Sequence, residues 1–189
     1  NLTVVNLDIK APATPPNWMS PPPPANWMIP AVQLEATGKI SDALCQVDAE
    51  NSAVYQQLAV EYKGKILAKE AEIKAKLNQV NPSEVSVMCV GMQARFVEWT
   101  GLNIVATYGR PDSLTPQVVR ELVDTGSAEN VTLIIDNLQS GQDAGKGVAE
   151  ELGCRRIILS NFPGGFDNTE TWEKAIDLNI KLILGVVAQ

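Results

Sequence analysis

Histidine is absent from this 189-residue chain. Imidazole is the commonest general base and transition-metal ligand near neutral pH. Its absence removes Ser-His and Cys-His nucleophile pairs and HExxH zinc sites together. Chemistry would have to draw on carboxylates, lysines, thiols or a bound cofactor. No cofactor motif is present, and no pair of carboxylates is spaced for acid–base work, so no enzyme activity, catalytic residue or cofactor is expected. Cysteine is scarce too: Cys45, Cys89 and Cys154 are widely separated and form no CxxC or zinc-finger spacing. They read as small buried hydrophobes, with one disulfide left open. No apolar run reaches the roughly 18 residues that a membrane span needs. No basic, apolar leader precedes the strand-like Leu2-Thr3-Val4-Val5, although an exported protein in mature or shortened form starts in the same way. Basic charge is outnumbered, 15 Lys and Arg against 22 Asp and Glu, for a net charge of −7. A nucleic-acid partner, which needs a clustered basic face, is thereby excluded.

What is there is ordinary globular composition, 45% apolar and 20% charged. The length suits one domain, or one domain with an appended element. Residues 1–9 read as a strand. Residues 10–30 hold most of the chain's 12 prolines, centred on Pro21-Pro22-Pro23-Pro24. Proline fixes φ and removes a donor, so this stretch is expected to be an extended loop. Asn-Trp-Met occurs in it twice, at 17–19 and 26–28. Either the tryptophans pin the loop to a core, or they, Trp27 among them, line a ligand cleft.

Residues 31–47 suit a helix, and 48–52 supply turn and cap residues. A longer helix is predicted over 53–80, with Val54, Leu58, Tyr62, Ile66, Ile73, Leu77 and Val80 at helical spacing. Asn81-Pro82 stops it. The remainder alternates: strands at 85–90, 103–107, 131–135 and 156–159, helices at 93–100, 115–125, 143–152 and 171–188. Short apolar strands alternating with amphipathic helices imply a parallel sheet covered on both faces. The expected fold class is α/β, a long spine helix followed by such a lobe.

Ligand groups in such sheets gather at the carboxyl ends of the strands. Asp136 and Arg110 stand at strand ends; a helix-cap or solvent role is the favoured reading of Asp136, and Arg110 has the chemistry to reach a ligand carboxylate. Residues 140–147 invite a phosphate-loop reading but lack the Walker spacing and its hydroxyl. Residues 161–167, with Gly164-Gly165 between Phe162 and Phe166, either line an apolar cleft or pack on their own lobe.

One resemblance is more specific. Trp27-Met28-Ile29-Pro30, then Asp42-Ala43-Leu44, then Asp48-Ala49-Glu50-Asn51 resembles a stretch of the zinc- and manganese-type periplasmic solute-binding proteins of ABC transporters. Their His-x-Trp-Leu-Asp-Pro loop leads through a helix and a DPEN turn into a long helix joining two lobes. Phe96-Val97-Glu98-Trp99-Thr100-Gly101-Leu102 is similar to the family's YFAERYGL segment, and Ala149-Glu150-Glu151-Leu152-Gly153 to its IAEETG segment. The resemblance implies that residues 1–30 end a first lobe, 31–80 carry a helix and the inter-lobe spine, and 81–189 form a C-terminal lobe. Most of the first lobe would then be absent, because the chain is part of a longer protein or because a natural protein lost a lobe. The former fits better, since a bridging helix with nothing to bridge leaves an apolar stripe in water.

The resemblance also implies an extracytoplasmic location, a permease partner and a cleft ligand. The family's loop histidine falls on Ala25, its second-lobe ligand on Val90 (Cys89 with a one-residue shift), and its last carboxylate near Ser160 or Asn161. Alanine and valine offer no lone pair, so no metal ligand is assigned and a bare cation is not expected here. The cleft candidates are Trp27, Cys89, Val90, Arg110, Asp136, Ser160 and Asn161, and a small solute or a metal complex is the expected ligand. A scaffold that kept the fold and lost its ligand is the alternative. A chelatase- or nitrogenase-like enzyme, with lobes of similar topology, is least supported.

Overall fold

The structure is a computed structural model and describes residues 4–7 and 25–187. Residues 4–7 form no strand. The rest of the strand expected over 1–9, and the proline-rich residues 10–24, lie outside the described residues.

Helix α1, Pro30–Val47, begins with proline at its first turn, where a missing N–H costs nothing and φ is already helical. A 3-10 turn, Ala49–Asn51, reverses the chain into α2, Ser52–Leu77. Asp48 clamps this reversal, accepting from Asn51 Nδ2 at 2.9 Å and Tyr55 Oη at 2.6 Å. Those two bonds, the Tyr55 one first, hold its carboxyl below the usual carboxylate range. The 26 residues of α2 extend about 39 Å. The helix stops three residues short of expectation, and Asn81 turns left-handed (φ 46°) just before Pro82.

The two ends of α2 differ. Ile66, Ile73 and Leu77 are fully buried, each contributing about 1.5–3 kcal/mol of transfer free energy. Val54, Leu58, Val60 and Leu67 are more than half exposed, as is Val47 of α1. The buried end is also tied by charge. Lys69 Nζ reaches Asp177 at 3.0 Å, and Lys74 lies over the Trp99 ring at 4.6 Å while bonding the Trp99 carbonyl.

Four parallel strands follow: β1 Ser86–Val90, β2 Asn103–Tyr108, β3 Leu133–Asn137 and β4 Arg155–Leu159, in the order β2-β1-β3-β4. Between and after them run α3 Ala94–Thr100, α4 Pro116–Ala128, α5 Lys146–Leu152 and α6 Trp172–Val187. Alternate strand residues face opposite ways, as the period of two requires. Cys89, Ile135 and Leu159 join Phe96, Ile176 and the α2 end in one core. Met88, Val90 and Ile134 join Leu122 and Val148 in the other. The sheet is thus α/β, covered on both faces as the apolar runs predict.

Candidate functional site

Chain order reverses between β1 and β3, so the crevice of this sheet opens at the carboxyl ends of those two strands. Carboxamides gather around it. Asn26, in the turn before α1, is 3% exposed and donates Nδ2 to Asn161 Oδ1 at 2.9 Å, Gln93 Oε1 at 3.4 Å and the Met92 carbonyl at 3.3 Å. Its own Oδ1 accepts from Met28 N at 2.9 Å. Asn137 closes β3 and accepts the backbone N–H groups of Gln139 and Ser140 at 2.9 and 2.8 Å. Gln139 donates Nε2 to Ser160 Oγ at 2.8 Å and accepts from Asn161 N at 3.0 Å. Beneath it, Asn179 of α6 both donates to the Ser160 carbonyl and accepts from Ser160 N. Gly165 caps the cluster so closely that a Cβ there would stand 2.2 Å from Ser160 Oγ. A glycine is needed at that contact.

Asp136, one residue before Asn137, is fully buried and faces away from this cluster in its bonding. Its Oδ2 takes Arg156 Nη1 at 2.6 Å; its Oδ1 takes Tyr108 Oη at 2.9 Å and Gly145 N at 2.8 Å. Arg156 also bonds Asp143 and the Gln142 carbonyl. The Gly145 N–H of the 140–147 loop is therefore met by the protein's own carboxylate. Burial, then the adjacent Asp136 charge, drives the Tyr108 phenol far above its ordinary value, so it stays a donor. A Cβ at Gly145 would meet Tyr108 Oη at 2.5 Å, and hence this turn admits glycine alone.

The sequence-predicted residues are spread over several surroundings. Ser160 and Asn161 belong to the carboxamide cluster. Val90 ends β1 beside it, but its side chain packs into the second core. Cys89 points to the opposite face, is fully buried, and burial pushes its thiol up. Arg110 is exposed on the loop after β2. Trp27 is half-buried and lines a groove of about 330 Å3 between α1 and α2 with Ala36, Ile40, Leu44, Leu58 and Tyr62. Ala25, where the resemblance puts a histidine, packs against the first core. Trp172 ties the same turn down, donating Nε1 to the Met28 carbonyl at 3.2 Å. Phe162 is 47% exposed at the loop tip.

Asn26, Gln93, Asn137, Gln139 and Asn179 were not singled out from the sequence. The available signal was polar Asn137 ending the apolar run of β3, and Asn26 in the repeated Asn-Trp-Met. Among the described residues, no three His, Cys, Asp or Glu side chains are grouped to hold a metal ion.

Comparison with known families gives one match, the family described as ZnuA, zinc-uptake complex component A, periplasmic, which covers residues 22–185. The chain belongs to this family. No curated protein matches it. Solved structures of metal-binding proteins share the family fold. The SBP FpvC from P. aeruginosa, in complex with Ni2+, superposes with a TM-score of 0.70 at 17% identity. That match covers 85% of this chain and 61% of FpvC. The Mn-bound periplasmic metal binding protein from Candidatus Liberibacter asiaticus gives 0.77 at 19% identity, covering 99% of this chain and 71% of that one. A metal-free serine-to-alanine mutant of the same Liberibacter protein gives 0.71 at 19%, covering 86% and 62%. The chain therefore spans about three fifths to seven tenths of these relatives, and the ZnuA-type α/β fold is common to them all.

Proposed function

We propose that this chain is the C-terminal lobe and spine of an extracytoplasmic solute-binding component of an ABC uptake system. In this reading it takes up a solute or a metal complex rather than a bare cation, and hands it to a membrane permease. One observation carries the reading: the sheet end where the family's ligands fall holds Ser160, Asn161 and a ring of neutral carboxamides. Zinc and manganese need several lone-pair donors converging on one point, preferably anionic or imidazole. The carboxamide oxygens of Asn26, Gln93, Asn137, Gln139 and Asn161 are instead committed to hydrogen bonds within the protein.

The division of labour along the chain is part of the proposal. Residues 31–80 act as the spine and 81–189 as the ligand-carrying lobe; residues 1–30 fall mostly outside the described part. The exposed apolar side chains Val47, Val54, Leu58 and Val60 support a spine that packs against further protein.

Elemental analysis of the purified protein, paired with a thermal-shift panel of solutes and metal complexes, tests the reading. Sub-stoichiometric zinc and manganese, with stabilisation by one solute class, is the expected result. Near-stoichiometric metal overturns it. The scaffold alternative draws on the same cluster, whose carboxamides largely satisfy one another, and a flat panel favours it.

A further inference from the structure

The geometry points to an acceptor-bearing ligand: we infer that the ends of β1 and β3 bind the oxyanion oxygens of the solute, through the carboxamide N–H groups of Gln93 and Asn137 and the Ser140 hydroxyl. The inference rests on the solute-binding reading above and names its ligand chemistry.

Among the described residues, the buried side-chain polar atoms without a partner are Gln93 Nε2, Arg95 Nε, Asn137 Nδ2 and Ser140 Oγ. All of them follow or close β1 and β3, the adjacent strands that flank the crevice. An unpaired buried donor costs roughly 1–3 kcal/mol, and native folds seldom keep one without use. Here several are kept at one end of one sheet.

Their orientation is fixed by their neighbours. Asn137 Oδ1 accepts two backbone N–H groups, so turning the amide over would lose both and strand the N–H groups instead. Its Nδ2 must face away from them. Asn26 is held the same way by Met28 N, which obliges its Nδ2 to donate to Gln93 Oε1 and Asn161 Oδ1. Gln93 must then present Nε2 elsewhere. The carbonyl oxygens of Gln93 and Asn137 accept bonds from the protein, and their buried N–H2 groups are left without a partner. Such donors repel a cation and suit a group rich in lone pairs.

The paired charges at these strand ends do not oppose an anion. The one carboxylate in these strand ends, Asp136, is neutralised by Arg156. Arg95, two residues after Gln93, is 7% exposed, and its ion-pair partner Glu98 stands 3.3 Å away in solvent. Hydrogen bonds to an anionic acceptor are about twice as strong as neutral ones. The oxygens can belong to a free oxyanion or to the anionic shell around a chelated metal.

Calorimetric titration of the whole chain separates these sources and tests the inference. The probes are sulfate, phosphate, citrate, citrate charged with an equimolar ferric ion, and MnCl2 and ZnCl2 alone. At least one oxyanion probe is expected to bind and the bare metals are not; citrate against its ferric chelate tells a free anion from a wrapped cation. Gln93→Glu and Asn137→Asp keep the inward acceptor oxygens and replace each spare amide by a carboxylate oxygen. Each is expected to weaken the oxyanion roughly tenfold or more. Ser140→Ala, which leaves every described bond intact, should weaken it several-fold. Binding of no oxyanion probe overturns the inference, as does affinity unchanged in all three variants. If a neutral solute binds instead, solute binding stands and the oxyanion assignment falls; if a bare cation binds, both fall. If nothing binds across the wider panel, both fall.

Discussion

Asn26 and Asn161, 135 positions apart in the sequence, meet amide to amide at 2.9 Å. This contact joins the turn that enters α1 to the loop that leaves β4, and the same Asn26 Nδ2 also orients Gln93 through its Oε1. Asn26→Asp keeps the acceptor for Met28 N but turns the donor into an oxygen facing three acceptor oxygens. Urea denaturation at pH 7 is expected to give a loss of about 3 kcal/mol. The introduced carboxyl, buried among acceptors, has its pKa raised in the fold. The stability it retains is thus present at low pH and lost as the pH rises through that raised value. The deficit should shrink at pH 4, and equal deficits at pH 4 and 7 would contradict the orientation argument.

The Asp136–Arg156 pair is asymmetric, since Asp136 is fully buried and the Arg156 side chain 23% exposed. Arg156→Met strands a buried carboxylate and is expected to cost about 3 kcal/mol. Asp136→Asn releases an arginine that can reach water and should cost less. Equal losses in thermal or urea unfolding would mean that the pair is not the main support of this turn.

Burial raises the Cys89 thiol, and its core position closes it to reagents. Under a thiol-reactive dye at pH 8, the half-buried Cys45 and Cys154 are expected to label in the native state. Cys89 should label only at the rate of unfolding. Mass spectrometry of the tryptic peptides reads the difference, and rapid native labelling of Cys89 would show that the β1 face opens.

Lys76, then Lys69, hydrogen-bond Glu72 and bring its carboxyl down to about 2. A depressed carboxyl contributes stability that is present above its unfolded value and lost as the pH falls toward the folded one. The window here is from about 4.5 down to about 2. Glu72 stands in solvent, so the effect is small and screened by salt. Glu72→Gln should lower the Tm by about 1–2 °C at pH 7 in low salt. No difference should remain at pH 2 or in 1 M NaCl.

Much of the fold was legible in the sequence, because apolar runs and proline or glycine punctuation act locally. Gly101 and Gly153 end α3 and α5 in left-handed conformations, where the sequence places helix ends. Boundaries moved where tertiary bonds decide them. β3 begins two residues late, since Val131 N bonds back to Gly126 in the turn after α4, and runs on to Asn137 through its ladder with β4. α5 begins at Lys146 because the preceding turn wraps the Asp136 carboxylate. The site was legible at Ser160 and Asn161 only. Asparagine and glutamine carry no spacing signature, and the side-chain contacts that bring distant parts of the chain into the cluster span 19 to 135 residues.

A rim made of carboxamides has no proton to gain or lose across the range in which most proteins live. Acidification or alkalinisation of the surroundings leaves its pattern of donors and acceptors as it was, unlike a histidine–carboxylate cage, whose grip fades as imidazole protonates. Under the proposed solute-binding reading, release of the ligand is then a matter of movement. With α2 stapled to the sheet lobe by Lys69 and Lys74, a tilt of that long rod is a way to carry force into the crevice.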